Sequence, residues 1–178
     1  MIELKMTYQA KTVSLKKDYS GTGAISALIG IYENVVLEIA AITDEMSEDD
    51  FMKIFDTATA DENCRSVQTI VSHIASAGYG YANYIRKAFS IQSRDFEKRL
   101  LTRREAVKEL ESVVNYTAAS FQGKWEMCSQ EISATIIEVH WGKTYDLEQL
   151  IEHAIVHVLR HERQIQRFLG RLSTEAKP

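Results

Sequence analysis

The chain has 178 residues, 45% of them hydrophobic and 26% charged, the balance of a globular protein with material for one hydrophobic core. A formal net charge of -4 gives no general basic field to gather nucleic acid or anionic lipid, so a DNA-binding role is disfavoured. One proline, at the last position (Pro178), and eight glycines leave few helix breakers, which favours long helices over many short strands.

Cys64 and Cys128 form no CxxC pair and no disulfide framework, and no secretory signal opens the chain, so a reducing cytoplasm is the expected compartment. The longest apolar run, 24–43, carries Glu33 and Glu38, which makes it a core helix rather than a membrane span. Both carboxylates, with Glu162, read as solvated helix-surface charges.

Taken in order, residues 1–20 read as a mixed lead-in with a possible extended piece. Gly21 and Gly23 punctuate the entry to a first helix, Ala24 to about Ile42, whose apolar residues recur at threes and fours (Ile25, Leu28, Ile29, Tyr32, Val36, Ile39). A short helical segment is expected from Ser47 to Phe55. The second long helix spans about Arg65 to Phe89, weakened by Gly78 and Gly80 at roughly 1 kcal/mol each relative to alanine. Thr102 and Glu105 have the spacing of a capping box and open a third helix that ends near Gly123. Residues 124–145 are the least regular and hold Trp125, His140 and Trp141 in a long connection or short strand. The fourth helix starts at Asp146, an N-cap residue type, and is expected to end at Gly170, a residue suited to the position just past a helix. The fold class is therefore all-α, a four-helix bundle forming a single domain over 1–178 with an irregular connection before the last helix.

The fourth helix carries His153, His157 and His161 at four-residue intervals. On a helical wheel the apolar arc contains His161, has His157 at its edge, and leaves His153 about 40° further out, toward the surface. Two imidazoles one turn apart on a single face are about 5–6 Å apart at Cβ and can converge on one ion. On the second helix, His73 sits at the edge of the apolar stripe. His73, His157 and His161 thus form a candidate three-histidine metal set with coordination positions left open, the pattern of catalytic rather than structural sites. The competing reading is a set of core histidines, but buried neutral imidazoles still need partners for their polar nitrogens. Cys64 and Cys128 lie outside this convergence and read as structural. His140, in His-Trp-Gly, reads as a loop residue beside a partly buried Trp141, with a substrate-facing role as the alternative. Tyr81, Tyr84 and Gln164 are candidates for orienting substrate.

Other chemistries fit less well. The Glu-x-x-His repeats of di-iron bundles are absent. His161-Glu-Arg-Gln-Ile165 begins like a zincin motif but has isoleucine where the second histidine belongs. No phosphate-cradling glycine loop or nucleophile elbow occurs.

Two stretches, SVQTIVSHIASAGYGYANYI (66–85) and YDLEQLIEHAIVHVLRHERQIQRFLGRL (145–172), resemble the second and last core helices of the DinB/YfiT-like family of metal-dependent enzymes. The second stretch matches through His157, His161, Arg163, Gln164 and Ile165. It departs from the frequent His-His-Arg-Gly-Gln order in carrying Arg160 for the first histidine and in its Arg/Gly order. The resemblance implies a four-helix bundle with a three-histidine site for a divalent metal, commonly zinc or nickel, and often a homodimer. It also implies a small-molecule substrate, with low-molecular-weight thiols used by characterised relatives that are transferases and isomerases. Two functions are therefore expected in competition. One is a thiol-dependent transferase or hydrolase acting at the open metal position. The other is a non-catalytic stress-response bundle that binds metal or a partner without turnover.

Overall fold

A computed structural model describes residues 23–175, so the expectations for the lead-in and for Gly21 lie outside the described residues. Six α-helices and one small hairpin follow in the order α1 (Ala24–Glu45), α2 (Glu48–Met52), α3 (Val67–Ala88), α4 (Arg103–Ala119), α5 (Ser129–Ala134), β1 (Ile137–Val139), β2 (Lys143–Tyr145) and α6 (Leu147–Glu175), with a single 3₁₀ turn at Glu62–Cys64 ahead of α3. The all-α bundle expected from the sequence is the observed architecture. Helix α1 packs on α4 and α6, and α3 packs on the same two, so α1 and α3 are diagonal in a four-helix ring. Histidines on α3 and α6 therefore belong to neighbouring helices.

Local chemistry sets most helix starts. Ser66 accepts from the Thr69 amide while the Thr69 side chain accepts from the Ser66 amide, and Thr102 and Glu105 form the same reciprocal pair at α4. Asp146 Oδ1 accepts from the Gln149 amide at 2.8 Å and Gln149 Oε1 accepts from the Asp146 amide at 3.0 Å, so α6 opens where its cap residue requires. The bundle core is aliphatic, with Ile25, Ile70, Leu110, Leu147 and Ile165 all fully buried; each such side chain contributes about 1.5–3 kcal/mol by leaving water. By length and composition α1 is the one described helix apolar enough to span a bilayer, and it packs against its neighbours through Ile25, Ile29, Val36 and Ile39.

Three details differ from the sequence reading. Helix α6 runs through Gly170 to Glu175. Contacts around and beyond the glycine hold the extra turn: Phe168 stacks on Phe55 at 4.6 Å, and Arg171 donates to the Phe55 carbonyl at 2.7 Å. Tertiary contacts thus outweigh the roughly 1 kcal/mol that a glycine costs within a helix. Glu33 is buried at 6% exposure rather than solvated, whereas Glu38 is exposed and Glu162 half-buried. Burial and the nearby Glu38 charge both raise the Glu162 carboxyl above its ordinary range. Finally, the irregular segment contains α5 and a hairpin in which Ile137 pairs with Tyr145 and Val139 with Lys143. Its turn, His140–Gly142, closes through Gly142 at φ +75°, with the Gly142 amide donating to Val139 O at 3.0 Å.

Gly78 has a packing purpose that propensity alone conceals. A Cβ there would lie 2.7 Å from both the Tyr32 hydroxyl and Val113 Cγ2, so the glycine permits α1 and α4 side chains to approach α3. A Cβ at Gly80, two residues on, would meet no atom within 4 Å.

Candidate metal centre

Helix α3 presents His73, and α6 presents His157 and His161 one turn apart. The structure brings these three together: one ring nitrogen from each lies within 4.8 Å of the other two. Nε2 of His73 is 2.9 Å from Nε2 of His157. The ring centroids lie 4.9 Å apart for His73 and His157, 5.1 Å for His73 and His161, and 4.6 Å for His157 and His161. Two imidazole nitrogens bound to one tetrahedral ion at 2.0–2.1 Å are about 3.3 Å apart, so the His73–His157 pair needs only a small spreading to share a divalent ion.

Protonation favours the same use. Burial pushes the imidazole pKa down from 6.5 to about 3 at His157 and about 4 at His73, with repulsion from neighbouring imidazoles adding to the effect. Burial also lowers His161, against an opposing contribution from its hydrogen bond with Gln164. At neutral pH all three rings are uncharged, the state in which imidazole offers a lone pair to a metal.

Behind His161 lies a hydrogen-bonded chain. Its Nδ1 is 2.7 Å from Gln164 Oε1, which also lies 3.7 Å from Cys64 Sγ. An amide oxygen only accepts, so His161 Nδ1 carries the proton and Nε2 is left free for a ligand. Cys64 Sγ also lies 3.4 Å from Asp61 Oδ2, and the Asp61 charge reaches His73 and His161. The 3₁₀ turn thus closes the back of the cluster. Cys64 lies outside the ligand set, as its position in sequence implied, but it stands immediately behind the histidines, against Gln164. Gln164 bonds His161 and does not line the cavity, and its i, i+3 spacing from His161 was the signal available for that contact. For Asp61 and Cys64 no local signal existed.

The chain belongs to the DinB family. The family model matches residues 36–172, which include all three histidines. No curated protein matches the chain. The family's all-α architecture agrees with the bundle described above, and this DinB protein carries its histidine cluster at one end of a large cavity.

The cavity has a volume of about 870 Å³ and is walled by His73 and His157 at one end. That volume is within the range of small-molecule sites. Tyr81 and Tyr84 both line it; Tyr81 is buried, with its ring edge-on to His157 at 5.7 Å, and burial pushes its hydroxyl up to about 12. Tyr84 is tied to the hairpin: its hydroxyl is 2.6 Å from His140 Nδ1 and accepts from the His140 amide at 3.0 Å. His140 and Trp141 therefore stand on the cavity wall, the alternative weighed for His140 from sequence. His153 is not part of the cluster. It is half-buried rather than on the open surface, stacked on Trp141 at 5.8 Å and against Tyr81 and Tyr145. Cys128 is exposed.

Proposed function

We propose that this DinB protein is a divalent-metal-dependent enzyme in which His73, His157 and His161 hold one ion, zinc or nickel, and that it acts as a thiol-dependent transferase or a hydrolase on a small molecule. The observation that carries the reading is the convergence of three imidazoles, His161 buried and His73 and His157 half-buried on the wall of a cavity large enough for substrate. Among the described residues no fourth histidine, cysteine or carboxylate joins the set, which favours a site open to an exogenous group over a closed structural one. A divalent ion held there supplies Lewis acidity, which makes a thiol or water a better nucleophile at neutral pH.

The chain's own residues do the remaining work. Gln164 fixes the His161 tautomer, and the aliphatic core behind α3 and α6 excludes water from the back of the cluster. Tyr81 remains a neutral hydroxyl on the cavity side of His157, able to donate a hydrogen bond to a developing negative charge.

The test combines metal analysis and turnover. Protein purified without a histidine tag is loaded with Zn²⁺ or Ni²⁺, dialysed and analysed for metal, alongside His157→Ala. One ion per chain, lost in the variant, is expected. The loaded protein is then assayed with several low-molecular-weight thiols against an aryl halide electrophile and with ester and amide substrates. Metal-dependent turnover of any of them supports the enzyme; stoichiometric metal with no turnover throughout supports the non-catalytic bundle instead.

A further inference from the structure

Helix α6 has two functional sides already described: Leu147, Leu150, Ala154, Val158 and Ile165 enter the core, and His157 stands on the cavity wall. A third side faces away from both. It carries Glu148, Glu152, Val156, Leu159, Arg163 and Arg167, spaced by fours with a single step of three at the centre, and all six are exposed. At 100° per residue these positions stay within an arc of about 100° on the outer surface. From Glu148 to Arg167 the stripe covers about 29 Å of helix.

Two properties of this stripe are unfavourable in a lone chain. At 63% exposure Val156 is the most exposed large apolar side chain among the described residues, and Leu159 beside it is 42% exposed. The charges are also sorted, with both carboxylates on one side of the apolar pair and both guanidiniums on the other. Glu148 with Glu152, and Arg163 with Arg167, are like charges one turn apart, a mildly destabilising arrangement within a helix. The helix dipole does not account for the sorting, because its influence is confined to the first and last turns. Arg163 and Arg167 stand at least eight residues before the end of α6 at Glu175. Among the described residues none of these four charges has an ion-pair partner.

Read backwards, the stripe is the same with its charges exchanged. Positions 148 and 167, 152 and 163, and 156 and 159 lie symmetrically about a point between His157 and Val158. A twofold axis through that point lays a second α6 antiparallel on the first. Glu152 then faces the partner's Arg163, Glu148 the partner's Arg167, and Val156 the partner's Leu159. A parallel copy would instead set carboxylate on carboxylate and guanidinium on guanidinium. Closed twofold contacts require such a self-complementary surface. The apolar pair supplies attraction by leaving water, whereas exposed ion pairs contribute little energy and set the orientation.

We propose that two copies of this chain pair through the outer face of α6, antiparallel and about a twofold axis between Val156 and Leu159. The cavity lies on the α3 side of α6, so this contact leaves its mouth free.

Sedimentation velocity of the full chain at micromolar concentrations tests it. A species of twice the 20.3 kDa chain mass is expected. Val156→Glu, Glu152→Arg and Arg163→Glu should each weaken the dimer tenfold or more while leaving a folded helical spectrum, since all three sites are exposed. Charge rescue is the readout that a merely structural role would not move. An equimolar mixture of the Glu152→Arg and Arg163→Glu proteins should recover the dimer, because one then presents two arginines and the other two glutamates. The Glu152→Arg/Arg163→Glu double variant should also dimerise. A wild-type chain that remains monomeric overturns the proposal. So does a dimer that survives Val156→Glu or either single reversal, which places the contact elsewhere, and so does a mixture that stays monomeric.

Discussion

At the histidine end of the cavity, every ring is carried by a long helix and packed against another ring, with Gln164 and Cys64 behind. At the other end, Lys87 is exposed on the last turn of α3, and the segment that follows runs back along the helix until the Leu101 amide donates to Ser72 Oγ at 3.0 Å. The first end removes water and charge, so its imidazoles stay neutral. The second is open to water. A metal ligand needs a fixed, deprotonated donor, and the first end offers three.

Replacement within the histidine cluster should have the largest effect. His161→Ala should abolish measurable Zn²⁺ binding at micromolar concentration, read by equilibrium dialysis. Gln164→Leu comes next: it removes the acceptor that orients His161 and should weaken metal affinity roughly 10–100-fold. Gln164→Glu, which keeps the acceptor, should recover most of that loss in the same competition titration.

The two faces of α3 sharpen the contrast further. Gly78→Ala pushes a methyl group against Val113 and Tyr32 in the core and should destabilise the fold by about 1–3 kcal/mol in urea unfolding. Gly80→Ala faces the cavity and should stabilise the fold by up to about 1 kcal/mol. The smallest effect belongs to Ser90→Gly, expected to add about 0.5–1 kcal/mol of stability by relieving the positive φ.

Much of the bundle was legible from local patterns. Thr102 with Glu105 and Asp146 with Gln149 cap the helices they precede, because a cap is decided by residues within one turn of each other. The wheel separated His157 and His161 from His153 because burial on a long amphipathic helix follows its period. The same argument overlooked that Trp141 and Tyr145 would cover His153. The glycine signal misjudged Gly170, where Phe55, more than a hundred residues away in the chain, supplies the contacts that keep the helix going.

The sequence by itself determined the all-α class, the helix starts and the inward placement of two histidines on α6, since periodicity and capping act over a few residues. Only the tertiary structure decided that His73 meets them, that Cys64 stands behind Gln164, and that Lys98 and the hairpin tip complete a cavity whose far end is Lys87. Those proximities depend on which helices are neighbours and on how loops fold back over them. No local spacing encodes that, because it is the packing of the whole core that selects it.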